Sequence, residues 1–185
     1  MPMKWTVAGL GVVVVLILAG CSDKGATSQP LAATSAPAST AATGPESSPS
    51  NPLPLGVAFT ETDPGLAAEV TVFAVNQNIA PDAPAPPSGG HWAGADVQVC
   101  LKEARTDFSV GWSDWSVSDP ANGQYQAATD KLTEFPTPQF PFAPEAMAVG
   151  ECVRGWVLFA VAYGVEVTTV KYKPGGRTPT FWSAV

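Results

Sequence analysis

Histidine is almost missing from this chain: among 185 residues there is one, His91. A catalytic triad needs a base beside a nucleophile, and a lone imidazole next to Gly89-Gly90 reads as a solvated loop residue. No G-x-S-x-G elbow surrounds any serine. With one histidine and three cysteines the chain has too few nitrogen and sulfur ligands for a zinc centre. The ligand spacing of a helix-loop-helix calcium loop is absent. No metal and no cofactor is expected.

Basic residues are scarce as well. Lys and Arg number 9 against 16 Asp and Glu, a formal charge of −7. No basic patch is available to neutralise phosphates, so nucleic acid is not an expected partner. Carboxylates are plentiful, and Asp107, Asp114 and Asp119 fall close together. They fit a two-carboxylate hydrolase by inventory. Solvated loop acids that discourage edge pairing are the plainer account.

A bilayer-spanning run is lacking too. The apolar stretch from Trp5 to Leu18 holds about 14 residues, whereas a transmembrane helix needs about 20. It follows Lys4 and ends in Leu18-Ala19-Gly20-Cys21, a small-residue pair before a cysteine. That is the pattern of a lipoprotein signal helix, residues 1–20, cleaved ahead of a lipidated Cys21. Two acyl chains at about 0.8 kcal/mol per buried CH2 anchor stably where one does not. The expected location is the extracytoplasmic face of the cell membrane, with the membrane as a partner through lipid.

Cysteine arithmetic follows from that assignment. With Cys21 lipidated, Cys100 and Cys152 remain, and in an oxidising compartment such a pair reads as one disulfide. Two buried thiols or an incomplete metal pair are the alternatives.

Residues 21–54 are rich in Ala, Ser, Thr and Pro, without the large apolar side chains that offset ordering entropy. They are expected to form a disordered tether. From 55 to 185 the composition turns to Val, Phe, Trp and Tyr with turn residues, enough for one core.

Alternation at period 2 marks the strands. They are expected at 68–77, 92–102, 112–117, 124–127, 153–161, 167–173 and 180–182. Asn122-Gly123 closes a hairpin. The 153–161 segment is apolar on both faces, which places it centrally. Short strands with Pro/Gly punctuation and no amphipathic helix give an all-β, immunoglobulin-like antiparallel β-sandwich.

Parity adds a geometric expectation. If Cys100 and Cys152 bond between antiparallel neighbours, Gln98 faces Arg154 and Asp96 faces Trp156. Asp96 and Arg154 then lie diagonally on one face, within reach of an ion pair. A disulfide crossing between sheets removes that pairing.

Aromatic residues offer a candidate binding surface. Trp112 and Trp115 are three apart and face opposite sides of a straight strand, so either the strand bends or one ring is exposed. The loop Phe135-Pro136-Thr137-Pro138-Gln139-Phe140-Pro141-Phe142 caps the sandwich or displays its rings. Trp112, Trp115, Phe140 and Phe142 are the residues this reading would expose to a partner.

The order Trp92…Asp96-Val97-Gln98-Val99-Cys100, Trp115 before Asn122-Gly123, Phe135-Pro136…Pro141, Gly150-Glu151-Cys152-Val153-Arg154-Gly155-Trp156, Val170-Lys171-Tyr172 and Trp182 carries a resemblance. It resembles the actinobacterial extracellular lipoproteins with an immunoglobulin-like domain of unknown function, over roughly residues 66–185. Their fold is similar to that of the mycobacterial immunoprotective extracellular antigens. The resemblance implies a sandwich, a disulfide and surface exposure, and no established reaction. The expected function is a non-enzymatic binding module with an envelope protein or glycan partner. The alternative is a cell-envelope carbohydrate-binding protein or hydrolase accessory.

Overall fold

A computed structural model describes residues 46–185. The signal helix, Cys21 and the tether up to residue 45 lie outside the described residues.

Ten strands run in chain order: β1 Phe59–Asp63, β2 Leu66–Asn76, β3 His91–Ala104, β4 Ser109–Val110, β5 Trp115–Ser118, β6 Gln124–Gln126, β7 Glu145–Ala146, β8 Cys152–Val161, β9 Thr169–Tyr172 and β10 Thr180–Ser183. One sheet has the order β1-β2-β3-β8, the second β10-β9-β5-β6, and β4 pairs with β7. Every strand pairing is antiparallel. The fold is an all-β antiparallel sandwich, and among the described residues no helix is long and apolar enough to cross a membrane.

Alternation builds the core. Val70 and Val72 of β2, Ala95, Val97, Val99 and Leu101 of β3, and Val157, Phe159 and Val161 of β8 are all fully buried. From the second sheet come Trp115, Val117, Val170, Tyr172 and Trp182. Trp115 packs on its register partner Tyr172 at 4.6 Å between ring centroids, and both belong to one buried cluster that draws on the two sheets. Such aromatic pairs add about 0.5–1.5 kcal/mol beyond area burial.

Three expectations change. First, β8 is not central but the last strand of its sheet. Its free edge is covered by backbone from the proline-rich loop. Trp156 N–H donates to Pro138 O at 3.0 Å, Phe140 N–H to Trp156 O at 3.1 Å, and Ala128 N–H to Leu158 O at 2.7 Å. That cover satisfies backbone groups that an edge strand would otherwise leave unpaired. Gly155 permits the approach, because a Cβ there would collide with the backbone of Gln139 and Phe140.

Second, the strand expected at 112–117 starts at Trp115, after a 3-10 turn at Trp112–Asp114; the chain bends, which is the first of the two alternatives, and both tryptophans are buried. Third, the domain begins before residue 55. Leu53 is buried, its N–H donates to Phe181 O at 2.9 Å, and Ser183 N–H donates back to Leu53 O at 2.8 Å. Ser47 Oγ accepts from Phe181 N–H at 3.0 Å. The last residues of the expected tether therefore line the β10 edge, which a composition reading misses because the contacts are made by the backbone of Leu53 and the hydroxyl of Ser47.

Candidate functional site

The second sheet turns one face to the core and the other outward, and the outward face is a row-by-row consequence of register. Ser116 stands opposite Gln126 on β6 and Lys171 on β9, and Lys171 stands opposite Phe181 on β10. In the next row Ser118 faces Gln124 and Thr169. Their odd-numbered or even-numbered neighbours, Val117, Val170 and Trp182, are buried, so these polar side chains share the other face.

That face holds a groove of about 240 Å3 lined by Ser116, Ser118, Asn122, Gln124, Lys171 and Phe181, with Thr169 and Lys173 beside them and Pro49 and Pro179 at its margin. Ser116 is only 3 % exposed and forms part of the lining. Lys171 Nζ donates to Gln124 Oε1 at 3.2 Å. Asn122 adopts φ 65° in the β5–β6 turn, the left-handed conformation that Asn tolerates.

A second cleft, about 260 Å3, is lined by Asp107, Ser113, Asp114 and Arg177 among others. Arg177 donates to Glu61 Oε1 at 3.0 Å and lies 3.3 Å from Asp63 Oδ2, joining the loop after β9 to β1. Asp114 Oδ2 accepts from Gly111 N–H at 3.1 Å and so caps the 3-10 turn. Burial raises the pKa of Glu61 and of Asp114 above the ordinary values of 4.5 and 3.8, against the hydrogen bonds that lower them. The Tyr172 hydroxyl and Glu61 Oε2 are buried with no protein hydrogen-bond partner. Burial also pushes the Tyr172 phenol strongly up, helped by the charges of Glu61 and Asp114.

Asp119 does not join that cleft. Its carboxylate accepts from Gly123 N–H at 2.8 Å and from Tyr125 Oη at 3.0 Å, which fixes the hairpin turn. His91 opens β3 opposite Val161 and is not among the residues lining either site. Among the described residues no group of three or more His, Cys, Asp and Glu is arranged to hold a metal ion.

The aromatic surface expected from sequence is a correction. Trp112, Trp115 and Phe140 are each 1 % exposed, and Phe142 is half-buried with its ring edge-on to Trp112 at 5.2 Å. Trp112 Nε1 donates to Phe140 O at 2.9 Å, so the loop and the turn pack on one another. Burial of these rings offsets the ordering of a long proline-rich loop, and they form no exposed patch for a partner to grip.

Cys100 and Cys152 form a disulfide between directly opposed residues of β3 and β8. It lies within one sheet and does not bridge the two. The register then pairs Gln98 with Arg154 and Asp96 with Trp156. Arg154 contacts Asp96 through Nε–Oδ1 at 3.1 Å and Nη2–Oδ2 at 2.7 Å. Its guanidinium carbon sits 3.9 Å from the Phe73 ring centroid.

This sandwich has a solved counterpart. The structure of MPT63, a secreted protein from Mycobacterium tuberculosis, is similar at a TM-score of 0.54 and 18 % identity, covering 71 % of this chain and 97 % of that one. The yjhA protein from Bacillus subtilis gives a TM-score of 0.48 at 10 % identity, covering 72 % of this chain and 99 % of that chain. No family model and no curated protein matches the sequence. The likeness to MPT63 shows a common fold.

Sequence reasoning missed the polar groove. Its residues are the outward members of β5, β6, β9 and β10, which a period-2 reading discards as solvent-facing. The available signal was their chemistry: hydroxyls, amides and two lysines at alternating positions in an otherwise acidic chain.

Proposed function

We propose that the chain is a lipid-anchored extracytoplasmic binding protein, related to the actinobacterial lipoproteins with an immunoglobulin-like domain, that holds an envelope ligand on the outer face of its second sheet without transforming it. The observation that carries this reading is the makeup of the groove. None of the described residues lining it is Asp, Glu, His or Cys. Hydroxyls, amides, ammonium groups and one aromatic ring supply orientation and affinity, whereas hydrolysis calls for a positioned acid and base.

Anchorage rests on Leu18-Ala19-Gly20-Cys21. An extracytoplasmic location is supported by the Cys100–Cys152 disulfide and by the description of MPT63 as secreted. Fractionation of cells carrying the Cys21→Ser chain tests the anchor. The variant is expected in the soluble fraction with unchanged binding to purified envelope glycans. Continued membrane association overturns the anchor, and loss of binding in the soluble variant assigns binding to the membrane instead.

A second reading, an envelope hydrolase, is favoured by one observation: the raised pKa of Asp114 beside Asp107 in the other cleft. A general acid needs such a shift. The binding reading is preferred because Asp114 and Arg177 are engaged with Gly111, Glu61 and Asp63. Sugar release that is abolished by Asp114→Asn supports the hydrolase.

A further inference from the structure

We infer that the groove across β6, β5, β9 and β10 takes an anionic saccharide, a sugar chain bearing carboxylate groups; this rests on the binding reading above and names its ligand class.

Described cations without an ion-pair partner concentrate at this groove. Ion pairs among the described residues engage Lys102, Arg105, Arg154 and Arg177. Lys131, Lys171 and Lys173 make none there, and two of those three line this one groove. The protein is acidic overall, with a net charge of −7, yet no described carboxylate lines the site. Beyond about 8 Å at physiological ionic strength the surrounding acids are screened, so an incoming ligand meets the two ammonium groups first. An unmatched positive site on an acidic surface is complementary to an anion.

The other groups are spaced at strand intervals. Ser116, Lys171 and Phe181 sit on three adjacent strands in one register row, so hydroxyl, ammonium and ring span about 10 Å. Ser118, Thr169 and Gln124 repeat the polar pattern one row on. Closely spaced donors and acceptors beside an aromatic face match a chain of linked polyol rings. The Phe181 ring can pack on the C–H face of a sugar while Lys171 and Lys173 meet its carboxylates.

Other ligand classes fit less well. An acyl chain would need an apolar lining, and Phe181, Val117, Pro49 and Pro179 are the apolar members among the described residues. A peptide adding as a strand would need a free edge, whereas the β10 edge is partly occupied by Leu53.

Calorimetric titration of the full-length chain in detergent, with trigalacturonate and neutral maltotriose as probes, tests the inference. Trigalacturonate is expected to bind, with maltotriose at least about tenfold weaker. Lys171→Gln and Lys173→Gln should each weaken trigalacturonate by about fivefold, the upper scale of a surface ion pair. Phe181→Ala should weaken both sugars, and near-ultraviolet circular dichroism checks that each variant keeps its fold.

Equal affinity for the two sugars, lost together in Phe181→Ala, overturns the anionic assignment while leaving the groove as a binding site. Affinity for trigalacturonate that is unchanged in Phe181→Ala and both lysine variants overturns the groove itself. Binding to phosphatidylglycerol vesicles with no affinity for either sugar overturns the saccharide in favour of a lipid surface. Absence of binding to all three probes overturns the inference outright.

Discussion

Asp96 and Arg154, 58 residues apart in sequence, meet in a two-point ion pair with Nη2–Oδ2 at 2.7 Å and Nε–Oδ1 at 3.1 Å. The contact is a diagonal one across β3 and β8, with Asp96 two residues along β3 from Gln98, the register partner of Arg154. The guanidinium also covers Phe73, so one planar group satisfies a carboxylate and a ring together. Lysine reproduces the charge but neither the fork nor the stacking plane. Arg154→Lys is expected to lower the melting temperature, and Arg154→Ala to lower it further. Adding Asp96→Asn to Arg154→Ala should change little more, because the pair is already broken. A double-mutant thermal series checks this.

The disulfide closes a loop between residues 52 apart. Chain-entropy reasoning assigns roughly 4 kcal/mol to such a link. Cys152 is exposed while Cys100 is buried, so reductant has access from one side. Reduction should lower the urea midpoint without altering the near-native β signature, and Cys100→Ala/Cys152→Ala should match the reduced protein. A reduced protein as stable as the oxidised one contradicts the assignment.

Gly155 is where the proline-rich loop crosses β8. Gly155→Ala forces Gln139 and Phe140 away and strains the two backbone bonds at Trp156. A loss of about 1–3 kcal/mol is expected, the usual cost of overpacking. Hydrogen exchange should accelerate at Phe140 and Trp156 in particular.

Sequence legibility followed the same physics. The long strands β2 and β3 were readable because alternation over more than ten residues leaves little choice of face, and β8 because its run of β-branched and aromatic residues has strand character on both faces. The Cys100–Cys152 parity carried the Asp96–Arg154 contact, since antiparallel register fixes opposite neighbours from any one pair. By contrast β4 and β7 have two residues each, too short to show a period. The edge position of β8 was hidden because covering loop and neighbouring strand look alike to an apolar face. The tryptophans were ambiguous for want of a turn signal, and the 3-10 turn at Trp112–Asp114 resolved them.

Glu61 and Asp114 predict a pH dependence. Their folded pKa values lie above the ordinary 4.5 and 3.8, chiefly through burial, so the folded state holds these protons longer than the unfolded chain. The resulting stabilisation is complete below the ordinary values and is lost as pH rises through the raised ones. Arg177 opposes the shift at Glu61, whereas Asp63 reinforces it. Stability should therefore fall as pH climbs through and above the ordinary carboxyl range, less steeply in Asp114→Asn. Denaturant melts across that range check the slope.

The account stands or falls on which face binds. Amide-shift mapping of the isotopically labelled Cys21→Ser chain, titrated with envelope glycan fragments, locates the contact directly. Perturbations are predicted at Ser116, Ser118, Gln124, Thr169, Lys171 and Phe181. Shifts confined to Thr71, Phe73, Asp96 and Trp156 on the opposite sheet, or to Asp107 and Asp114 in the carboxylate cleft, contradict it.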